Sequence, residues 1–391
     1  MLERPLRTSS TTLSTRLDAV IDGGIAAERI VGAVVLVRRN GQPIYTRAAG
    51  LADREAGAPM REDALFRLAS VSKPFVAAAA MALVGQGKLA LDRPITEWLP
   101  YFEPRFEGEP VVISLRQLLT HTSGLGYGFL EPEDGPLHRA GVSDGMDRTG
   151  ITLAENLRRL AGVTLQFRPG TRFCYSLALD VVGALIEAAT GLALPQAVRV
   201  LVTEPLGLND TGFSISDPTR LTAAYADDTP HPRRMREPDV APFLPGLPGI
   251  RMDPSRAFDR EAFPSGGAGM IGGARDTMAL LEALRSGGGP LMPPECAAEM
   301  ARDQIAALDI EGSPGWGYGL GFSILRDATA AGVTESPGAW RWGGAYGHSW
   351  CVDPSKCLTL VAFTNTALEG MSNGGRFSAD LSRALYAAIG P

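Results

Sequence analysis

Residues 66–80 read FRLASVSKPFVAAAA, and within them Ser70-Val71-Ser72-Lys73 sets a serine and a lysine three positions apart. On a helix that spacing puts both side chains on one face, one turn apart. Pro74 is tolerated only in a first helical turn, so Ser70 is expected at or just before a helix N-terminus. Free N–H groups and the positive end of the helix dipole favour a developing oxyanion there. At its ordinary pKa only roughly one lysine in 2,500 is neutral at pH 7, so a lysine acting as a base needs desolvation or a neighbouring cation. The apolar run 75–83 is able to bury it. The alternative is a surface lysine after a serine cap. Only Lys73, Lys88 and Lys356 are lysines among the 37 basic residues, which favours a dedicated use.

Outward from this stretch, GAVVLVRR (32–39), Asn40-Gly41 and QPIYTRAAG (42–50) form the plainest hairpin signal. Asn-Gly between β-branched runs predicts a type I′ turn. Further strands are expected near 318–325, 339–343, 348–352 and 358–364, with helices near 10–27 and 377–388 at the two ends. Strands and helices at both ends of the chain predict one α/β (α+β) unit with an antiparallel sheet flanked by helices. Between the ends, 74–86, 114–121, 152–160, 177–190 and 194–202 have helical periodicity. The expected division is therefore 1–70 with 265–391 as the sheet unit and 71–264 as an inserted, mainly helical domain. Residues 212–264 carry nine of the 29 prolines and little periodicity. Such a segment is usually a functional cover or binding loop. There is no internal repeat and no low-complexity tract.

Composition narrows the function classes. Of 391 residues 45% are hydrophobic and 20% charged, ordinary for a globular chain. A net charge of −6 argues against nucleic-acid partners and against adhesion to anionic lipid. The four cysteines, Cys174, Cys296, Cys351 and Cys357, form neither a disulfide framework nor a zinc-ligand pattern. No metal or cofactor is expected. MLERPLRTSSTTLSTRLDAV lacks the apolar core of a secretory signal, and no run approaches 18 apolar residues. A cytoplasmic protein with no membrane partner is expected, as monomer or homodimer.

Three other constellations compete with Ser70. Gly141-Val142-Ser143-Asp144-Gly145 fits G-x-S-x-G, but a nucleophile elbow needs a buried strand before the serine. EPEDGPLHRA precedes it, polar and with two prolines, so Ser143 reads as a turn residue. Tyr175-Ser176-Leu177 stands at a loop-to-helix junction, where tyrosine is more often packing than catalysis. Arg341-Trp342-Gly343-Gly344-Ala345-Tyr346-Gly347-His348 reads as a strand breaking into paired glycines. Those glycines mark either an ordinary turn or a place where a ligand meets the backbone.

Taken together, these motifs resemble the serine β-lactamase/penicillin-binding superfamily, and more closely the EstB-like family VIII carboxylesterases. The likeness runs through LADREAGAPMREDALFRLASVSKP, LRQLLTHTSGLGY, RFCYSLALDVVGALIE, EPLGLNDTGF, PSGGAGM and WGGAYGHSWCVD. It implies a β-lactamase-like fold, with Ser70 as the acylated nucleophile, Lys73 as its base and Tyr175 as the proton-sharing tyrosine. It further implies an oxyanion hole from the N–H groups of Ser70 and Ala345. Tyr127, Trp342, Gly343 and Gly344 would contact the substrate. The family regards the G-x-S-x-G serine as non-catalytic. Two positions depart from the β-lactamase pattern: Leu177 stands where an asparagine is usual, and Trp342 where a cationic or ionisable residue is usual. Both departures favour neutral, apolar esters over penicillins and peptides. The expected activity is hydrolysis of short-chain carboxylic esters, a small-molecule substrate, through an acyl-enzyme. β-Lactam hydrolysis, amide hydrolysis and acyl transfer on the same site are the alternatives, and a non-catalytic binding scaffold is a third class.

Overall fold

A computed structural model describes residues 8–371 and 375–390. An antiparallel sheet organises it, with strands β1 (Gly32–Arg39), β2 (Gln42–Asp53), β3 (Ala58–Pro59), β4 (Trp316–Tyr318), β5 (Ser323–Leu325), β6 (Trp340–Gly344), β7 (His348–Asp353) and β8 (Leu358–Thr364). Their spatial order is β4-β5-β6-β7-β8-β1-β2-β3, so chain-end strands β8 and β1 meet in the middle. Asn40 and Gly41 both have positive φ, 53° and 74°, as the type I′ hairpin requires.

The central strands are buried on both faces, and their period-2 alternation separates two cores. Val34 and Leu36 of β1, with Val361 and Phe363 of β8, join the larger core. Ala33, Val35 and Val37, with Leu360 and Ala362, face the other way. There they meet α1 (Thr8–Ala26) through Leu13, Leu17 and Ile21, and the C-terminal helix Arg376–Ile389 through Phe377, Leu381 and Leu385. The larger core is built around α2 (Ser72–Gly85), whose residues 72–83 are all buried. A helix apolar all round must sit inside a protein. Here α2 packs against α3 (Ala178–Thr190).

The helices expected at 114–121 and 152–160 are Leu115–Leu119 and Leu153–Ala161. The one expected at 194–202 changes at Val198 from α to π winding over Arg199–Thr203. The single strand expected at 318–325 is instead a hairpin, β4 and β5. Gly321, at φ 104°, turns the chain there, and the alternating glycines of WGYGLGF were the sign of it. Residues 212–264 hold two short ladders, Tyr225–Ala226 with Arg233–Arg234 and Asp239–Ala241 with Ile250–Met252, and two 3₁₀ helices, Pro218–Arg220 and Pro254–Phe258. Among the described residues no single helix is long and apolar enough to cross a membrane.

Phe363 locks the sheet to the segment that carries Ser70. It is fully buried, with ring centroids 5.5 Å from Phe66 and 4.5 Å from His348. Phe363→Ala is expected to cost about 3–5 kcal/mol in urea unfolding. A loss below about 1 kcal/mol would mean that this contact does not hold the two layers together.

Candidate active site

Ser70 lies in a single 3₁₀ turn, Ala69–Val71, that runs directly into α2. Ala69 before it has φ 44°, an uncommon value for a residue with a side chain. Backbone held in this region costs energy and is a feature of functional sites. No residue type in the sequence announces it. The turn is pressed from outside by β6: a Cβ on Gly344 would lie 2.3 Å from the Leu68 carbonyl oxygen. Only glycine lets the strand approach that closely.

Lys73 is completely buried one helical turn beyond Ser70. Its Nζ lies 3.0 Å from Ser70 Oγ, 3.1 Å from Tyr127 Oη and 2.8 Å from the Gly267 carbonyl oxygen. Burial pulls its pKa down to about 7, while the Asp180 carboxylate opposes the fall. A neutral amine has two N–H donors and one lone pair. With Gly267 and Tyr127 accepting, the lone pair is left for the Ser70 hydroxyl. Tyr175 completes the set, its Oη 2.6 Å from Ser70 Oγ. Burial raises the Tyr175 pKa, against hydrogen bonds from Ser70, Trp342 and Tyr127 that lower it. At neutral pH it is a phenol. The arrangement supplies an activated hydroxyl, an amine able to take its proton, and a phenol able to give one.

Asp180, on α3, is the buried residue that sequence reasoning missed. Its Oδ1 accepts from Ser265 Oγ and from the Gly267 N–H, both at 2.8 Å, and so anchors the residue whose carbonyl, on its following peptide, holds Lys73. The available signal was a lone acid inside the apolar run LALDVVGALI, five residues after Tyr175.

Ser70, Tyr127, Tyr175, Trp342, Gly343 and Ala345 line one cavity of about 380 Å³. Its walls are mostly apolar and aromatic. Phe243, Leu244 and Ile250 come from the proline-rich segment, and Glu311 is the only charged side chain among the described lining residues. Gly344, expected to touch substrate, instead packs on the Leu68 carbonyl behind the site. Leu177 is in the core rather than the cavity wall, so the position expected to carry a substrate-directed amide points elsewhere.

The histidines do not supply a base. His121 Nδ1 accepts from the Ser176 N–H at 3.2 Å, and its ring packs edge-on against Tyr175 with centroids 4.8 Å apart. Burial, helped by the Lys73 charge, holds its pKa well below the usual range. His348 bonds the Arg67 carbonyl at 2.9 Å, and burial lowers its pKa to about 4. Ser143 is outside the cavity. Its N–H donates to Asn156 Oδ1 at 2.8 Å and its hydroxyl to Asp147, in an irregular turn with no strand before it.

The beta-lactamase family model matches residues 17–384. Esterase EstB of Burkholderia gladioli is 49% identical over 381 residues, covering 97% of this chain and 96% of its own. The solved structure of EstCE1, described as a hydrolase with promiscuous acyltransferase activity, superposes with a TM-score of 0.91. It is 43% identical and covers 96% of this chain and 99% of its own. Monacolin J acid methylbutanoyltransferase of Aspergillus terreus is 28% identical over 380 residues, with 87% of each chain covered. The chain belongs to the beta-lactamase family and is EstB-like.

Burying Lys73 costs stability in a pH-dependent way. Its folded pKa of about 7 lies below the ordinary 10.5, so the unfolded chain binds the extra proton between those values. Stability therefore rises with pH across that window and is lowest below it. Lys73→Met is expected to gain on the wild type by on the order of 4 kcal/mol on going from pH 10 to pH 6. A difference in unfolding free energy that does not change with pH would show that the amine is not desolvated.

Proposed function

We propose that this EstB-like member of the beta-lactamase family hydrolyses neutral, short-chain carboxylic esters through an acyl-enzyme on Ser70. The observation that carries the reading is the buried Lys73 amine bonded to Ser70 Oγ and held there by Gly267 and Tyr127. Ser70 Oγ attacks the ester carbonyl as its proton passes to Lys73. The C–O bond then breaks, and Tyr175 protonates the leaving alkoxide and recovers a proton from the Lys73 ammonium. Water repeats the attack on the acyl-enzyme and gives a proton to Lys73; the Oγ–acyl bond then breaks, the Lys73 ammonium returns that proton to Ser70 Oγ, and the acid leaves. The N–H groups of Ser70 and Ala345 hold the tetrahedral oxyanion at each addition.

A shift of the lysine from its ordinary pKa to about 7 raises the neutral fraction at pH 7 by roughly a thousandfold. That is comparable with what general-base catalysis contributes in enzymes. Neutral esters are favoured because no cation lines the cavity among the described residues, whereas a carboxylate would need one. The names of EstB and EstCE1 support the same class. Acyl transfer is the second reading: an alcohol takes the place of water on the same acyl-enzyme, and the apolar walls suit such an acceptor. EstCE1 and the methylbutanoyltransferase are described by that chemistry. A cytoplasmic monomer or homodimer completes the proposal.

With p-nitrophenyl butyrate, Ser70→Ala is expected to be inactive and Ser143→Ala to keep most of the wild-type rate. An active Ser70→Ala would remove the nucleophile from this scheme. The kcat/KM profile is expected to fall below pH 7, about tenfold per unit, as Lys73 takes up its proton. Lys73→Arg should be inactive at every pH up to 9, because a guanidinium keeps its proton. A flat profile down to pH 5 would rule Lys73 out as the base.

A further inference from the structure

The G-x-S-x-G segment is not the nucleophile, yet its hydrogen bonds converge on the site. Asp144 reaches across to the turn Gly128–Leu130: its Oδ1 accepts from the Gly128 N–H at 2.8 Å and its Oδ2 from the Phe129 N–H at 3.1 Å. Gly128 is gripped on its other side too, where its carbonyl lies 2.9 Å from His138 Nε2. The residue just before this grip is Tyr127, whose Oη is bonded to Lys73, and Phe129 stacks on Tyr127 with ring centroids 4.7 Å apart.

The other residues of the motif serve the same end. Ser143 is bracketed by Asn156, which accepts from its N–H at 2.8 Å and donates to its carbonyl at 3.0 Å. Gly145, at φ 84°, comes so close to Ser265 that a Cβ there would lie 2.3 Å from Ser265 Oγ. Ser265 in turn bonds Asp180. Burying a carboxylate is costly, and burial pushes the Asp144 pKa up to about 7 although both backbone amides pull it down. A turn needing only a cap would be served by a neutral side chain.

We propose that Asp144 is a positioning residue: its two-oxygen grip on Gly128 and Phe129 holds Tyr127 against Lys73. The proposal rests on the esterase reading for its catalytic consequence. Its structural half, the coupling of Asp144 to Tyr127, stands apart from that reading. Asparagine at 144 keeps one acceptor but turns an NH₂ group toward the second amide.

The test is a double-mutant cycle of wild type, Asp144→Asn, Tyr127→Phe and the double variant on p-nitrophenyl butyrate, with Ser70→Ala as the blank. Asp144→Asn is expected to lower kcat about ten- to a hundredfold. In the Tyr127→Phe background it should then cost little more, because its route to Lys73 is already cut. Independent, multiplicative losses would overturn the proposal, as would an unchanged kcat in Asp144→Asn. Should Asp144→Asn fail to fold, Gly128→Ala strains the same grip from the other side, since its Cβ would lie 3.1 Å from Asp144 Oδ2. The same cycle then applies. An inactive wild type, or an active Ser70→Ala, would defeat the esterase reading alone. The cycle is then read on urea unfolding, where additive effects of positions 144 and 127 would defeat the positioning proposal as well.

Discussion

The Lys73 amine is completely buried, and much of the surrounding structure is what that condition requires. An unpaired ammonium in a protein interior is prohibitive, and even a neutral amine must have its donors satisfied. The chain meets this with a carbonyl at Gly267, a phenol at Tyr127 and a hydroxyl at Ser70. These come from three separated parts of the sequence. Helix α2 brings Ser70 and Lys73 together by local geometry, whereas Tyr127 and Gly267 arrive only when the tertiary fold closes. Asp180 fixes Gly267, and Asp144 grips the turn after Tyr127. Two buried carboxylates thus support one buried amine, and neither forms an ion pair with it. Such indirect support leaves the amine titratable near neutrality, where a direct salt bridge would hold it protonated.

The sheet contributes to this site through backbone alone. The last turns of β6 run past the segment Leu68–Ser70, and Gly344 permits a separation that a side chain would prevent. From the adjacent strand β7, Gly344's ladder partner His348 bonds the Arg67 carbonyl, and Phe66, His348 and Phe363 form one aromatic contact. Ser70 is therefore set between a rigid helix and a rigid strand, with the strained Ala69 between them. Strain of this kind persists only where the surroundings over-determine the backbone, and here they do so from two layers.

Much of this was legible in the sequence, for identifiable reasons. The Asn40-Gly41 hairpin, the apolar helix after Ser70 and the strands at both chain ends are local signals, and local physics decides them. The Ser70, Lys73 and Tyr175 pattern was legible as a motif, and the turn character of Ser143 followed from the polar, proline-bearing approach to it. What escaped was set by distance in the chain. Asp180 and Asp144 are single acids whose partners lie 87 and 16 residues away, so a local signal could mark them as unusual without saying what they hold. Gly344 was read as a ligand contact because a glycine that admits backbone is indistinguishable in sequence from one that admits substrate. Leu177 was read by motif position, and the α3 helix turns that position into the core. The β4–β5 hairpin reads as one strand because each of its strands is only three residues long, and only the alternating glycines mark the turn between them.

On the proposed reading, base strength and substrate choice have one physical origin. The same burial that brings the Lys73 pKa to about 7 makes the neighbourhood of the amine poor at holding an anion. The two properties are also coupled in the other direction. A substrate carboxylate placed near Lys73 would stabilise the ammonium, raise its pKa and remove the base needed for attack. Neutral esters leave the amine as they find it. Adding a cation to the cavity wall would offset the charge of an anionic substrate, but it would also hold the Lys73 pKa down further and weaken the base it is meant to assist. A site that relies on desolvation for its base is thereby committed to uncharged substrates, and a change of substrate class would require rebuilding the environment of Lys73 as well as the pocket wall.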